Sequence, residues 1–245
     1  METNVSLQKE LDAFERQYLH VRLTENRIYS ISEILMLPEI SSSHVHCAEW
    51  GIRKKSCERL LRFLQAKNKE LNILEAGCGN GWLAAKMAAT INAKVTGVDI
   101  NRMELMQAVT AFERIANLKF LYGDLRTSGL PQHSFDVILF ASSVQYFDSV
   151  EKIINAALQL LKKDGEIHIM DTPFYAPREV SKASRRTTEY YRAIGFNEMQ
   201  GYYFHHSIKE LHPYNYKILF NPSSIMGKWK KKQYPFHWIV IKQKD

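Results

Sequence analysis

Between Ile73 and Gly81 the chain runs Ile-Leu-Glu-Ala-Gly-Cys-Gly-Asn-Gly, and Trp82-Leu83-Ala84-Ala85-Lys86-Met87-Ala88-Ala89 follows without a break. The first part reads as an apolar strand. The last is rich in alanine and straight-chain residues, which favour helix. Three alternating glycines at the junction let the backbone take positive φ and let a ligand reach main-chain N–H groups that a Cβ would shield. A strand that turns through such glycines straight into a helix is suited to hold a nucleoside cofactor.

The first rival is the dinucleotide fingerprint G-x-G-x-x-G, whose third glycine lets the helix pack closely on the strand. Trp82 stands at that place, and an indole cannot replace a hydrogen there. The glycines instead read G-x-G-x-G, with Glu75 two residues ahead of Gly77. Lys94–Asp99 then reads as a second strand ending in a carboxylate 18 residues beyond Gly81, where it can accept hydrogen bonds from ribose hydroxyls. A third strand, Leu118–Tyr122, leads to Gly123-Asp124-Leu125, and a fourth occupies Ser134–Ser142.

These four segments, in this order and spacing, resemble the class I S-adenosylmethionine-dependent methyltransferases. The resemblance is firm over residues 50–172 and looser elsewhere. It implies S-adenosylmethionine as cofactor and S-adenosylhomocysteine as product. It further implies that Glu75, Gly77, Cys78, Gly79 and Gly81 form the cofactor loop, with Cys78 acting through its backbone. Asp99 would hold the ribose and Ile100 would lie against the adenine. Asp124 and Leu125 would make the adenine-contact loop, with Asp124 near the exocyclic amine, and Ser142 would end the fourth strand near the methionine moiety. The bland alternative is that these glycines and acids merely make turns.

Organisation along the chain supports an α/β fold, because strands alternate with helices in the manner of a mostly parallel sheet covered on both faces. Asn101 with Glu104 matches a capping box, followed by Leu105, Val109, Phe112 and Ala116 at helical spacing. Asp148 with Glu151 repeats the device before the stripe Ile153, Ile154, Ala157, Leu158 and Leu161, with Gly165 ending the helix beyond Lys162 and Lys163. Glu166–Met170 reads as the fifth strand. The resemblance implies a Rossmann-like, seven-stranded sheet with helices on both faces and an antiparallel last strand. His237–Ile241 fits that strand and Tyr216–Phe220 its neighbour, with a break at Asn221-Pro222-Ser223-Ser224.

Two segments lie outside the shared core. Residues 1–50 form an N-terminal extension in which Leu7, Leu11, Phe14 and Tyr18 share a helical face, either a helix packed on the core or a lid over bound cofactor. Residues 51–245 form the main domain, with an insertion at 172–215. There Val180, Ala183, Thr187, Tyr190 and Ile194 mark one helical face ended by Gly195. In the family such additions shape the acceptor pocket.

Composition narrows the function. The 245-residue chain is 45% hydrophobic and 24% charged, as in ordinary globular proteins. Of its net charge of +7, nearly all sits from Lys217 onward, where seven lysines face only Asp245. The run Lys228-Trp229-Lys230-Lys231-Lys232 therefore reads as a solvated hairpin rather than a nucleic-acid footprint. No apolar run suits a membrane span, the first residues lack signal-peptide character, and Cys47, Cys57 and Cys78 show no zinc-ligand spacing. A cytoplasmic protein is expected, with no membrane partner, no metal and no signature of a dimer.

The methyl group of S-adenosylmethionine is already activated, so the protein must mainly hold an acceptor in line and, where needed, remove a proton. Tyr146, Asp171 and Tyr175 are the pocket candidates. Tyr146 suits a wall better than a base, because a phenol ordinarily titrates near 10. Asp171 has a loop-stabilising carboxylate as its rival reading. Arg53 is a cofactor-carboxylate contact or a surface charge. Adjacent His205 and His206 diverge too readily to chelate, and His168 reads as strand packing. Residues 141–144, Ala-Ser-Ser-Val, lack the Asn/Asp-Pro-Pro-aromatic tetrad of DNA amino-methylating enzymes, and Asp171-Thr172-Pro173-Phe174 follows the wrong strand for it. A small-molecule acceptor is expected. The rivals are a protein or RNA methyltransferase using the basic C-terminus, and a non-catalytic cofactor-binding module.

Overall fold

A computed structural model describes residues 2–230 and 232–243. In chain order the elements are α1 (Glu2–Thr24), α2 (Ile31–Met36), α3 (Cys47–Gln65), β1 (Leu71–Ala76), α4 (Trp82–Thr90), β2 (Ala93–Asp99), α5 (Arg102–Phe112), β3 (Leu118–Tyr122), β4 (Phe135–Ala141), α6 (Val150–Leu160), β5 (Leu161–Met170), β6 (Phe174–Tyr175), α7 (Pro177–Ala193), β7 (His206–Ser207), β8 (Asn215–Phe220), α8 (Ile225–Lys230) and β9 (Trp238–Lys242). Seven strands form one sheet in the order β3-β2-β1-β4-β5-β9-β8, parallel except for β9, which runs antiparallel to both neighbours. The expected seven-stranded α/β fold is present, with its last strand antiparallel. The order reverses between β1 and β4, so the carboxyl ends of those strands open onto a crevice where ligands bind in such sheets.

Strand alternation divides the core. Ile73, Val95, Val137 and Leu139 face a cluster that includes Trp50, Leu60, Trp82 and Met87 from α3 and α4. Leu74, Val98, Ile138 and Phe140 face the opposite cluster, built on Ile153, Ile154 and Ala157 of α6. Burying each such aliphatic side chain stabilises the fold by about 1.5–3 kcal/mol. A polar chain crosses the β5–β9 seam, where Trp238 Nε1 donates to His168 Nδ1 (3.0 Å) and His168 Nε2 lies 3.2 Å from Glu166. His168 is fully buried there, as a packing residue.

Several local expectations shift. Asn101 caps α5 by accepting from Glu104 N–H (3.0 Å), but its own N–H goes to Asp99 Oδ1 (2.8 Å), so the box is only half made. In α5 the buried residues are Glu104, Leu105 and Ala108, whereas Val109 is 52% exposed and Ala116 lies beyond the helix. Ser149, not Asp148, caps α6, because Asp148 is drawn to Arg126 and Lys152. That helix ends at Leu160. Leu161 takes an extended conformation and opens β5, so Gly165 lies within the strand instead of ending the helix. On α7 the inward tyrosine is Tyr191, since the hydroxyl of Tyr190 is held by Glu25 at the end of α1. Lys228 and Lys230 belong to short helix α8 rather than a hairpin, and Lys231 lies outside the described residues.

Position 50 falls inside α3, whose Trp50, Cys57, Leu60 and Leu64 pack into the core beside the sheet. Helix α1 runs over the carboxyl edge of the sheet. Phe14, Tyr18 and Val21 pack with Tyr191 and Met199 of the insertion, and Ile100 and Tyr146 join them from below. The side chains of Leu7 and Leu11 lie outside the described residues. Glu15 ties α1 down by accepting from the N–H of Arg102 at the start of α5 (2.5 Å) and pairing with its guanidinium (3.0 Å). A carboxylate at a helix N-terminus is favoured by the unpaired N–H groups there. Among the described residues no helix is long and apolar enough to cross a membrane.

Candidate active site

The glycine turn is shaped by what it touches. Gly77 has φ +74°, and a Cβ on it would lie 2.5 Å from Ser143 Cβ; Gly81, at φ +75°, would press a Cβ to 2.5 Å from Phe120 Cζ. Close packing therefore falls on Gly81, one residue before the tryptophan that occupies the third-glycine place of the dinucleotide fingerprint. The turn is anchored to β2: Gly77 N–H and Cys78 N–H donate to Val98 O (2.8 and 3.2 Å), and Gly79 N–H donates to Asp99 Oδ2 (2.7 Å). Cys78 O accepts from Gly81 N–H, so both main-chain groups of Cys78 are used inside the turn. Burial pushes its thiol well above the usual range, leaving it a poor nucleophile.

A cavity of about 530 Å³ opens where these strands end. Its floor gathers Gly77 and Gly79 from the turn, Asp99 and Ile100 from the end of β2, Asp124 and Leu125 after β3, and Ser142 after β4. Seven of the ten predicted cofactor residues thus meet around one space. Phe14 and Tyr18 of α1 and Tyr146 cover it. Glu75 and Cys78 lie instead against a smaller space of about 80 Å³ behind the turn, and Gly81 serves packing. Asp124 is buried, with its carboxylate gripped by Arg126 through Nε (2.9 Å) and Nη2 (2.5 Å).

Carboxylates crowd this end of the sheet. Burial, with Asp99 nearby, pushes Glu75 up to about 8 against a hydrogen bond from the Ala84 N–H. Burial also raises Asp99 despite the N–H groups it accepts. Glu104 sits at about 7: burial raises it, Arg22 opposes and Asp99 adds to the rise. Two buried polar atoms here, Glu75 Oε2 and Asn101 Nδ2, have no hydrogen-bond partner. Such orphans are costly and fit a ligand that supplies both positive charge and acceptors. Glu104, Asn101 and Phe14 are wall residues that the sequence pattern assigns to capping and packing.

A second cavity of about 410 Å³ meets the first at Tyr18, Ser142 and Tyr146. Ser142 (φ +59°) and Asp171 (φ +52°) hold left-handed conformations at the ends of adjacent strands, uncommon for serine and better tolerated by aspartate, and Ser142 Oγ donates to Asp171 O (3.0 Å). Strained backbone of this kind gathers at functional sites. The carboxylate of Asp171 accepts from Ser56 Oγ (2.7 Å), and burial raises its pKa. Arg53 reaches both the cavity and Ser142 Oγ (3.4 Å), so it is no simple surface charge.

Tyr146 is enclosed by Phe14, Tyr18 and Tyr203, with ring centroids 5.5–5.8 Å away. Burial raises its hydroxyl pKa, so it forms a wall and is no base at neutral pH. Tyr175 lines neither cavity; it packs on His205 and bonds Arg186, because the β6–β7 pairing holds it to the side. The two adjacent histidines diverge: His205 turns to Thr187 Oγ1 (2.9 Å), and His206 turns to Val144 O and Phe147 O (3.2 and 3.0 Å). Among the described residues no group of three or more His, Cys, Asp or Glu side chains could hold a metal ion.

Comparison with known proteins agrees with this architecture. A family model described as a methyltransferase domain matches residues 73–165. The malonyl-[acyl-carrier protein] O-methyltransferase 1 of Ilyobacter polytropus is 27% identical over 117 residues, 47% of this chain and 43% of that protein. An uncharacterised methyltransferase of Mycobacterium tuberculosis is 30% identical over 98 residues, 40% of this chain and 49% of its own length. The chain thus spans less than half the length of these relatives. In fold it is similar to geranyl diphosphate C-methyltransferase of Streptomyces coelicolor A3(2), solved with Mg2+, geranyl diphosphate and S-adenosyl-L-homocysteine (TM-score 0.57, 13% identity, 82% of this chain and 86% of the other). It is also similar to magnesium protoporphyrin IX methyltransferase of Synechocystis PCC 6803 with bound S-adenosyl-L-homocysteine (TM-score 0.56, 17% identity, 83% and 90%). With the glycine turn and the sheet order, residues 73–165 are thus a methyltransferase domain, set in a sheet of the same fold as these S-adenosyl-L-homocysteine-bound methyltransferases.

Proposed function

We propose that this protein transfers a methyl group from S-adenosylmethionine to a small-molecule acceptor by direct displacement. The observation that carries the reading is the pair of cavities meeting at Tyr18, Ser142 and Tyr146, with the glycine turn and Asp99 on one side and the insertion on the other. The residues fit the cofactor: a hydrogen at Gly77 keeps the turn open against Ser143, and the orphaned Glu75 Oε2 and Asn101 Nδ2 call for ligand partners. When bound, the cofactor supplies a methyl group already activated by its sulfonium.

The protein's part is then binding, orientation and exclusion of water. Asp99 keeps lone pairs free, beyond the N–H groups it accepts, for ribose hydroxyls. Ile100 and Leu125 offer apolar surface to the adenine, and Asp124 an acceptor for its amine. The buried carboxylates of Glu75, Asp99 and Glu104 favour a cationic donor over a neutral product, which helps release after transfer. Helix α1 and the insertion act as the cover, residues 1–50 serving as a lid and 172–215 as the acceptor wall. The free thiols Cys47, Cys57 and Cys78 support a reducing, cytoplasmic setting.

Incubation with methyl-labelled S-adenosylmethionine and a panel of small organic acceptors tests this reading. Label in an acceptor, with several equivalents of S-adenosylhomocysteine formed per protein, is expected. Binding of the cofactor without turnover on any acceptor would favour a non-catalytic module. Transfer confined to protein or RNA, abolished by Lys228→Glu with Lys232→Glu, would move the acceptor to the basic C-terminus.

A further inference from the structure

The cavity on the acceptor side is unevenly charged. Arg22 from α1, Arg27, Arg53 from α3 and Arg186 from α7 reach it, against Glu25, Glu49 and Asp171. Two of these arginines are already paired. Arg27 lies 2.7 Å from Glu49 and 2.9 Å from Glu25, and Arg53 lies 3.0 Å from Glu49. Burial works against the charge on Glu49, yet the two guanidiniums hold it down at about 2, so this network stays ionised.

Arg22 and Arg186 differ. Among the described residues neither has a carboxylate within 4.0 Å. Arg22 donates through Nη2 to Tyr18 OH (2.6 Å) and is only partly exposed, while Arg186 bonds Tyr175. They come from α1 and α7, the two elements that cover the sheet edge, and the wall between them is phenolic: Tyr146, Tyr190, Tyr191 and Tyr203. Neutral phenols offer hydrogen bonds and ring faces but cannot balance a guanidinium. Arg22 is stabilised at a distance by the charge of Glu104 and Arg186 stands exposed, but neither guanidinium is closed off by an ion pair, so an anion that enters this cavity can pair with both.

We infer that the acceptor carries an anionic group, a carboxylate or a phosphate, seated between Arg22 and Arg186, with its apolar remainder against the tyrosines. The planar guanidinium fork suits either oxyanion bidentately. This inference rests on the methyltransferase reading. It makes closure of α1 over the sheet depend on the acceptor, since each half of the anion site comes from a different covering element.

The test uses the full chain saturated with S-adenosylhomocysteine, titrated calorimetrically with matched pairs: octanoate and octanamide, benzoate and benzamide, phenyl phosphate and phenol. At least one anion is expected to bind about tenfold tighter than its neutral twin, a difference of about 1.4 kcal/mol. Arg186→Gln, at an exposed position, should erase that preference while leaving S-adenosylhomocysteine affinity unchanged. Arg22→Gln should do the same to the preference, and Arg22→Lys should retain part of it. Preference for the carboxylates or for phenyl phosphate identifies the oxyanion. Anions that bind no better than their twins, or a preference that survives both glutamine variants, would overturn the anion site alone. Failure of the folded native protein to bind S-adenosylhomocysteine would overturn the methyltransferase reading and this inference with it.

Discussion

Replacing Gly77 by alanine isolates the close approach on which the cofactor turn depends. The left-handed conformation at φ +74° costs an alanine about 1–2 kcal/mol. The added Cβ would also lie 2.5 Å from Ser143 Cβ, about 1 Å inside ordinary contact, and overpacking of that degree costs about 1–3 kcal/mol. Ser143 cannot simply swing away, because its Oγ donates to Ala76 O (2.7 Å) at the end of β1. The total is about 2–5 kcal/mol, or a fall in Tm of roughly 4–20 °C for a chain of this size. Gly129→Ala is the control: its φ is +64° and nothing lies within 4 Å of its added Cβ, so only the conformational part should appear, about 1–2 kcal/mol. Urea unfolding of both variants separates strain from collision. Equal losses in the two proteins would refute the close-contact argument, as would undiminished S-adenosylhomocysteine affinity in folded Gly77→Ala protein.

Other consequences follow from burial and pairing. Glu75 titrates near 8 when folded against about 4.5 unfolded, so the folded state binds the extra proton between those values. Stability of the ligand-free protein should therefore fall as pH rises from about 4.5 to 8, and Glu75→Gln should flatten that slope in thermal scans. Trp238→Phe keeps an aromatic ring but removes the N–H that satisfies buried His168 Nδ1, and should cost about 1–3 kcal/mol for that hydrogen bond in urea unfolding, with a further loss for the smaller buried ring. Phe14→Ala should weaken S-adenosylhomocysteine binding about tenfold and speed proteolysis near α1, with a smaller loss of global stability than the ~3–5 kcal/mol of a core Phe→Ala change. A full core-sized loss would make α1 a fixed part of the fold instead of a lid.

How much is legible in the chain depends on whether the signal is local. The turn from Ile73 to Gly81, the acid ending β2 and the strand runs are each decided within a few residues, and the sheet they imply is the one observed. Glu104 is hidden because a glutamate three places after Asn101 satisfies the capping pattern; only the tertiary fact that Asp99 takes the Asn101 N–H turns its side chain toward the cavities. The choice between Tyr190 and Tyr191 on α7 is settled by Glu25, 165 residues away. Arg22 cannot be recognised in the sequence at all, because its place on the acceptor-side cavity beside Tyr18 is visible only once α1 lies against the insertion.

The most direct test of the central claim is calorimetric titration of the native protein and Asp99→Ala with S-adenosylmethionine, S-adenosylhomocysteine and NAD. Micromolar binding of both sulfur compounds, lost in the variant, with no heat from NAD, is the predicted result. Absence of binding by either sulfur compound to folded native protein, or equal binding of NAD, would contradict it.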